Sequence, residues 1–170
     1  MSDNRYTPRD IVGQRFCIPL YQRLFAWTPK EVRKLLADLK EHFDSERFQK
    51  EHNAYYLGML TAIVREGGDI DLIDGQQRFT VMILMAIAFK HIPEWNSFLE
   101  EGKRLKLVAR SEDENYLMSL SNDDNLTDHL NIGISYYGYE NLYMKNALLC
   151  ITDYIEKEFA GDEKARDSYA

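Results

Sequence analysis

Apolar residues recur at helical spacing after Thr28: Val32, Leu35, Leu36, Leu39 and Phe43 form one stripe. Thr28-Pro29-Lys30-Glu31 opens it as a capping box, with proline at the first helical position. Before this helix, Val12 to Tyr21 reads as an extended segment closed by Pro19. After it, residues 44–54 read as a charged loop. Tyr55 to Val64 is apolar at odd and even positions alike, which predicts a central strand. Glu66-Gly67-Gly68-Asp69 predicts a turn, and Ile70 to Ile73 the return strand of a hairpin.

The pattern then changes abruptly. Asp74-Gly75 breaks the strand, and Gln76 to Lys90 reads as a helix with apolar residues on nearly every side, hence buried. Residues 93–104 read as a loop or short helix, and Leu105, Leu107 and Ala109 alternate as in a short strand. Ser111 to Glu114 predicts a second capping box, with a helix running toward Leu120. Residues 121–135 are polar. Tyr139, Tyr143, Ala147, Cys150, Ile151, Tyr154 and Ile155 then mark a long amphipathic helix, and the last ten residues are polar without a clear domain ending.

Charge and cysteine content narrow the function classes. A net charge of −7 argues against a broad, non-specific DNA-binding surface. Two distant cysteines, Cys17 and Cys150, make neither a disulfide framework nor a zinc site. The apolar run from Phe79 to Phe89 is too short to span a bilayer. The chain reads as a soluble, cytoplasmic protein with no membrane partner.

The candidate chemistry lies where the strand meets the buried helix. Gly75 permits a sharp turn and a close ligand approach. The first helical amides lack partners and favour an anion. Arg78 adds a forked cation suited to phosphate, and Gln76 and Gln77 add neutral donors and acceptors. Asp74 could orient Arg78, hold Mg²⁺ or position a water. Together these parts suit a phosphate, although the same residues could serve simply as a solvated cap. A second cluster, Ile18-Pro19-Leu20-Tyr21-Gln22-Arg23 with Trp27, could meet a nucleotide, with Tyr21 or Trp27 stacking on its base. Its aromatics could equally belong to the core. Asp69 and Asp71 read as solvated hairpin residues, and Cys17 as a small buried hydrophobe.

IPLYQRLFAW, LLADLKEHF, YYLGMLTAIV and LIDGQQRFTVMILMAIA, in that order, resemble the amino-terminal domain of GmrSD-type modification-dependent restriction enzymes and related phage-defence proteins. The resemblance covers about residues 10–92 and, more loosely, the later helices. Phe79 and Val81 are mild departures from the family pattern. It implies an α+β fold: a small mixed sheet with helices, similar to the ParB and sulfiredoxin superfamily, then a mainly helical extension. The expected division is a nucleotide-binding core at 1–92 and an extension at 93–170, with a carboxy-terminal domain beyond. The resemblance further implies that Gln22, Arg23, Gly75 and Arg78 hold the phosphates of a nucleoside triphosphate. Asp74, Gln76 and Gln77 would position Mg²⁺ or water. DNA and an HNH-type nuclease domain, in cis or in trans, are the implied partners. Alternative readings are a module sensing modified DNA, DNA nicking by the domain itself, and an interaction domain with a vestigial motif.

Overall fold

The computed structural model describes residues 6–51, 54–100, 103–123, 126, 130 and 141–170. Tyr139 of the predicted stripe and most of the polar 121–135 segment lie outside the described residues, as do residues 1–5.

Four short strands form one sheet in the order β2-β3-β1-β4: β1 (Phe16–Ile18), β2 (Thr61–Val64), β3 (Ile70–Asp74) and β4 (Leu105–Leu107). β1 runs parallel to both β3 and β4, with Phe16 opposite Ile70 on one side and Leu105 on the other. β2 and β3 form the predicted antiparallel hairpin, with an irregularity between Thr61 and Ala62. Because side chains alternate along a strand, Phe16, Ile18, Leu72, Leu105 and Leu107 share one face. That face meets the helices, and the Phe16 and Phe79 rings lie 4.5 Å apart.

The helices are α1 (Pro29–Asp44), α2 (Glu46–Glu51), α3 (Gln76–Ala88), α4 (Pro93–Leu99), α5 (Ser111–Asn122), α6 (Leu142–Glu158) and α7 (Glu163–Tyr169). α1 starts with its predicted capping box: the Thr28 hydroxyl accepts from Lys30 N at 3.3 Å, and Thr28 N donates to Glu31 at 2.8 Å. Its stripe buries Val32, Leu35 and Leu36. α3 lies between the sheet and α6, which explains why it is apolar on nearly every side. α6 packs on both α1 and α3. The core is continuous from Phe16 to Phe159, within an α+β fold that ends in helices.

Several local expectations are corrected. β2 is an edge strand of four exposed residues, not a central one. The apolar residues before it, 55–60, form no strand and serve the site described below. The charged 44–54 loop contains α2. Ser111 does not cap α5. Arg110 occupies the cap position, and Glu114 instead accepts from Leu107 N at 3.1 Å, tying the helix to β4. Tyr143 is half exposed, whereas Ala147, Cys150, Ile151 and Ile155 of the predicted stripe are buried, joined by Met144 and Leu148. The polar tail is not free: Tyr169 of α7 reaches Leu36 O at 3.3 Å and stacks near Phe159 and Phe43. Among the described residues, no helix is long and apolar enough to cross a membrane.

Candidate functional site

The turn from β3 into α3 is built around Gly75. Its φ of 85° is left-handed, and a Cβ there would lie 2.3 Å from the Leu60 side chain and 3.2 Å from Met59 O. Glycine is therefore required for both conformation and space. Asp74, exposed at the strand end, accepts from Gly75 N through Oδ1 at 2.7 Å. The first helical bond runs from Phe79 N to Gly75 O at 3.0 Å. The amides of Gln76, Gln77 and Arg78 thus lack an intrahelical acceptor, at the positive end of the helix dipole.

The 22–27 segment is fastened to this turn by glutamines. Gln22 Nε2 donates to Ile73 O at 2.9 Å, and Gln76 Nε2 donates to Gln22 Oε1 at 3.1 Å. Gln77 spans the segment further on: its Oε1 accepts from Ala26 N at 2.8 Å, and its Nε2 donates to Leu24 O at 3.0 Å. Gln76 and Gln77 are buried accordingly. Phe25 enters the core, which anchors the segment from below.

These bonds bring the two sequence clusters into one cleft of about 520 Å³, lined by Gln22, Arg23, Trp27, Ile73 and Asp74 to Arg78. The lining carries two guanidinium groups and one carboxylate, so it is locally cationic in a chain of net charge −7. Arg23 is exposed, with no hydrogen bond or ion pair among the described residues. Arg78 is already engaged: Nη1 donates to Leu57 O at 3.2 Å and Nη2 to Met59 O at 2.9 Å. Tyr21 is 71% exposed and outside the lining, whereas half-buried Trp27 is part of it.

The remaining acidic and thiol candidates lie elsewhere. Asp71 is not a solvated hairpin residue. It is buried, and its Oδ2 pairs with Arg65 Nη2 at 2.6 Å and Nε at 2.7 Å. Cys17 is buried beside it on the outer sheet face, and burial pushes its thiol pKa up, away from nucleophile chemistry. Among the described residues, no three His, Cys, Asp or Glu side chains converge on one point. The segment Leu57 to Leu60, which walls the Gly75 turn, is absent from the sequence-derived site. Its one signal is Gly58, an isolated glycine inside an apolar run.

A family model described as the GmrSD restriction endonuclease, N-terminal domain, matches residues 8–166. Comparisons with curated proteins and with solved structures return no match.

Proposed function

The chain belongs to that family, and from this premise we propose that it binds a Mg²⁺-nucleoside triphosphate in the cleft. Binding there regulates DNA cleavage by a nuclease domain held in cis or in trans, of the HNH type that the family resemblance implies. The observation that supports this is the lining. Three helix amides without an intrahelical acceptor, two guanidinium groups and one exposed carboxylate belong to residues that line a space of ligand size.

In this reading the phosphate oxygens accept from the amides of Gln76, Gln77 and Arg78. Arg23 closes the opposite side as the uncommitted cation, and Arg78 offers the N–H groups not given to Leu57 and Met59. Gly75 makes the left-handed turn into α3 and leaves room for the Leu60 side chain against it. Trp27 is the ring placed to stack on a base. Gln22 and Gln77 hold the walls in position.

Asp74 has one oxygen bound to Gly75 N, and the other makes no hydrogen bond among the described residues. One carboxylate, completed by substrate phosphates and waters, suits Mg²⁺ arriving with a nucleotide. Where hydrolysis follows, Asp74 or Gln76 orients the water. The protein's contribution is then positioning and charge stabilisation.

The test is calorimetric titration of the four common nucleoside triphosphates, with Mg²⁺, into the wild-type chain, Arg23→Ala and Arg78→Ala. Binding by the wild type that is clearly weakened, though still measurable, in both variants is the expected result. A folded wild-type chain that binds none of the four overturns the reading.

A further inference from the structure

The guanidinium of Arg78 is held from behind before any ligand arrives. Its two carbonyl partners, Leu57 O and Met59 O, flank Gly58. Gly58 has a φ of +115°, in the left-handed half of backbone space that L side chains rarely adopt. A Cβ at that position would fall 1.7 Å from Arg78 Nη1 and 2.9 Å from its Cζ. The guanidinium therefore rests directly on bare backbone. The next two residues continue the wall, with Met59 O and the Leu60 side chain lying against Gly75. Gly58 and Gly75 thus both occur where the 57–60 segment meets the start of α3, and a side chain at either would displace the Arg78 guanidinium or the Leu60 side chain.

We propose that Gly58 is a positioning residue for the ligand cleft. With the carbonyls of Leu57 and Met59 it forms a seat that fixes the direction in which Arg78 presents its remaining N–H groups, without itself touching the ligand. This rests on the reading that an anionic ligand occupies the cleft. A guanidinium has five N–H donors, and the seat uses only one from each terminal nitrogen. The rest make no hydrogen bond among the described residues, in a group that is already ordered and lines the cleft. An arginine free in solution loses rotamer freedom when it grips a ligand, and a seated one has already lost it. The seat also explains why the apolar 55–60 run is not a strand. The peptide carbonyls at 57 and 59 serve a side chain instead of a neighbouring strand.

A double-mutant cycle isolates this role, because residues acting through each other do not add. Binding of the four nucleoside triphosphates with Mg²⁺ is measured by calorimetry on the wild-type chain, Gly58→Ala, Arg78→Ala and the double variant. A methyl at 58 displaces the guanidinium, so Gly58→Ala should weaken binding by about tenfold or more. In the Arg78→Ala background the same change should matter by less than about twofold, since no guanidinium remains to be displaced. Arg78→Lys serves where Gly58→Ala fails to fold. Lysine keeps the charge but cannot span both carbonyls, so its affinity should match that of Arg78→Ala. Additive losses in the cycle, wild-type affinity of Gly58→Ala, or wild-type affinity of Arg78→Lys would each overturn the inference while leaving nucleotide binding intact. A folded wild-type chain that binds no nucleotide removes the proposed function and this inference together.

Discussion

Gln76 and Gln22 stand 54 positions apart in the sequence, and Nε2 of the first donates to Oε1 of the second across 3.1 Å. Gln22 passes the connection on, donating its own Nε2 to Ile73 O. A side-chain amide accepts through its oxygen and donates through its nitrogen, so it can pass a connection on in this way. The glutamines of both motifs thus act first as fasteners, holding Arg23 across the cleft from the helix amides. The charged groups are placed by neutral ones.

Gln77 makes the strongest case for this structural role. It is 5% exposed and bonds both Ala26 N and Leu24 O. Gln77→Ala removes both bonds at once and leaves the Ala26 N–H and the Leu24 carbonyl, exposed and half-buried respectively, to be met by water. The expected loss is about 1–3 kcal/mol, read as a lower urea midpoint. Gln77→Glu keeps the acceptor for Ala26 N but sets a carboxylate against Leu24 O, so it should also destabilise the fold. A midpoint equal to wild type in both variants would show that Gln77 does not hold the segment.

The local features of this fold are written in the sequence. The Thr28–Glu31 capping box and the stripe behind it need only neighbours within two turns, and the hairpin needs only Gly67-Gly68 between apolar runs. The buried character of α3 follows from its lack of a polar face. What the sequence hides is long-range. An apolar run such as 55–64 has the same pattern whether it lies inside a sheet or at its edge beside a ligand cleft. The DGQQR and IPLYQR clusters are visible separately, but the amide bonds that join them are not. Arg78 is harder still, because its partners are backbone carbonyls and those carry no residue code. Ser111 misleads for a related reason: the Glu114 carboxylate finds a better partner in Leu107 N on β4.

The capping box makes stability depend on pH in a predictable direction. The Thr28 hydroxyl and amide hold the Glu31 carboxyl below its ordinary pKa. A depressed folded-state pKa gives stability that is present above the unfolded value and is lost as pH falls through the folded one. Thermal melts of the wild type and Glu31→Gln should therefore differ most near neutrality. They should converge as pH drops below roughly 4, the ordinary glutamate range. A constant gap at all pH values would mean that the charge of Glu31 contributes nothing to the cap.

Arg104 is the one cation buried almost completely among the described residues, at 1% exposure. It donates to Phe98 O at 2.7 Å and to Gln14 O, and it pairs with Glu100 at 3.2 Å. It thereby ties the approach to β1 to the end of α4. Burial lowers its pKa, and the neighbouring Glu100 partly offsets this. Arg104→Met retains the stem's packing but strands the two carbonyls, which should cost about 2–4 kcal/mol. Arg104→Lys should recover part of this, since one ammonium can serve one carbonyl well but not the fork. Chemical denaturation of the two variants separates the outcomes, and full stability of Arg104→Met would dismiss the brace.

The cleft also limits how this chain can meet DNA. Its lining offers two cationic side chains, Arg23 and Arg78, in a chain of net charge −7. If DNA phosphates entered the cleft, about two would be neutralised, and the slope of log K against log salt should be no steeper than about −2. Adding Mg²⁺-nucleotide should then compete with DNA, because both use the same guanidinium groups. Fluorescence anisotropy of a labelled duplex over a salt series measures the slope, and the same titration with nucleotide measures the competition. A slope of about −5 or steeper, unaffected by nucleotide, would require a broad basic surface away from the cleft. That result would move DNA recognition off the Arg23–Arg78 site and favour a module that reads DNA directly.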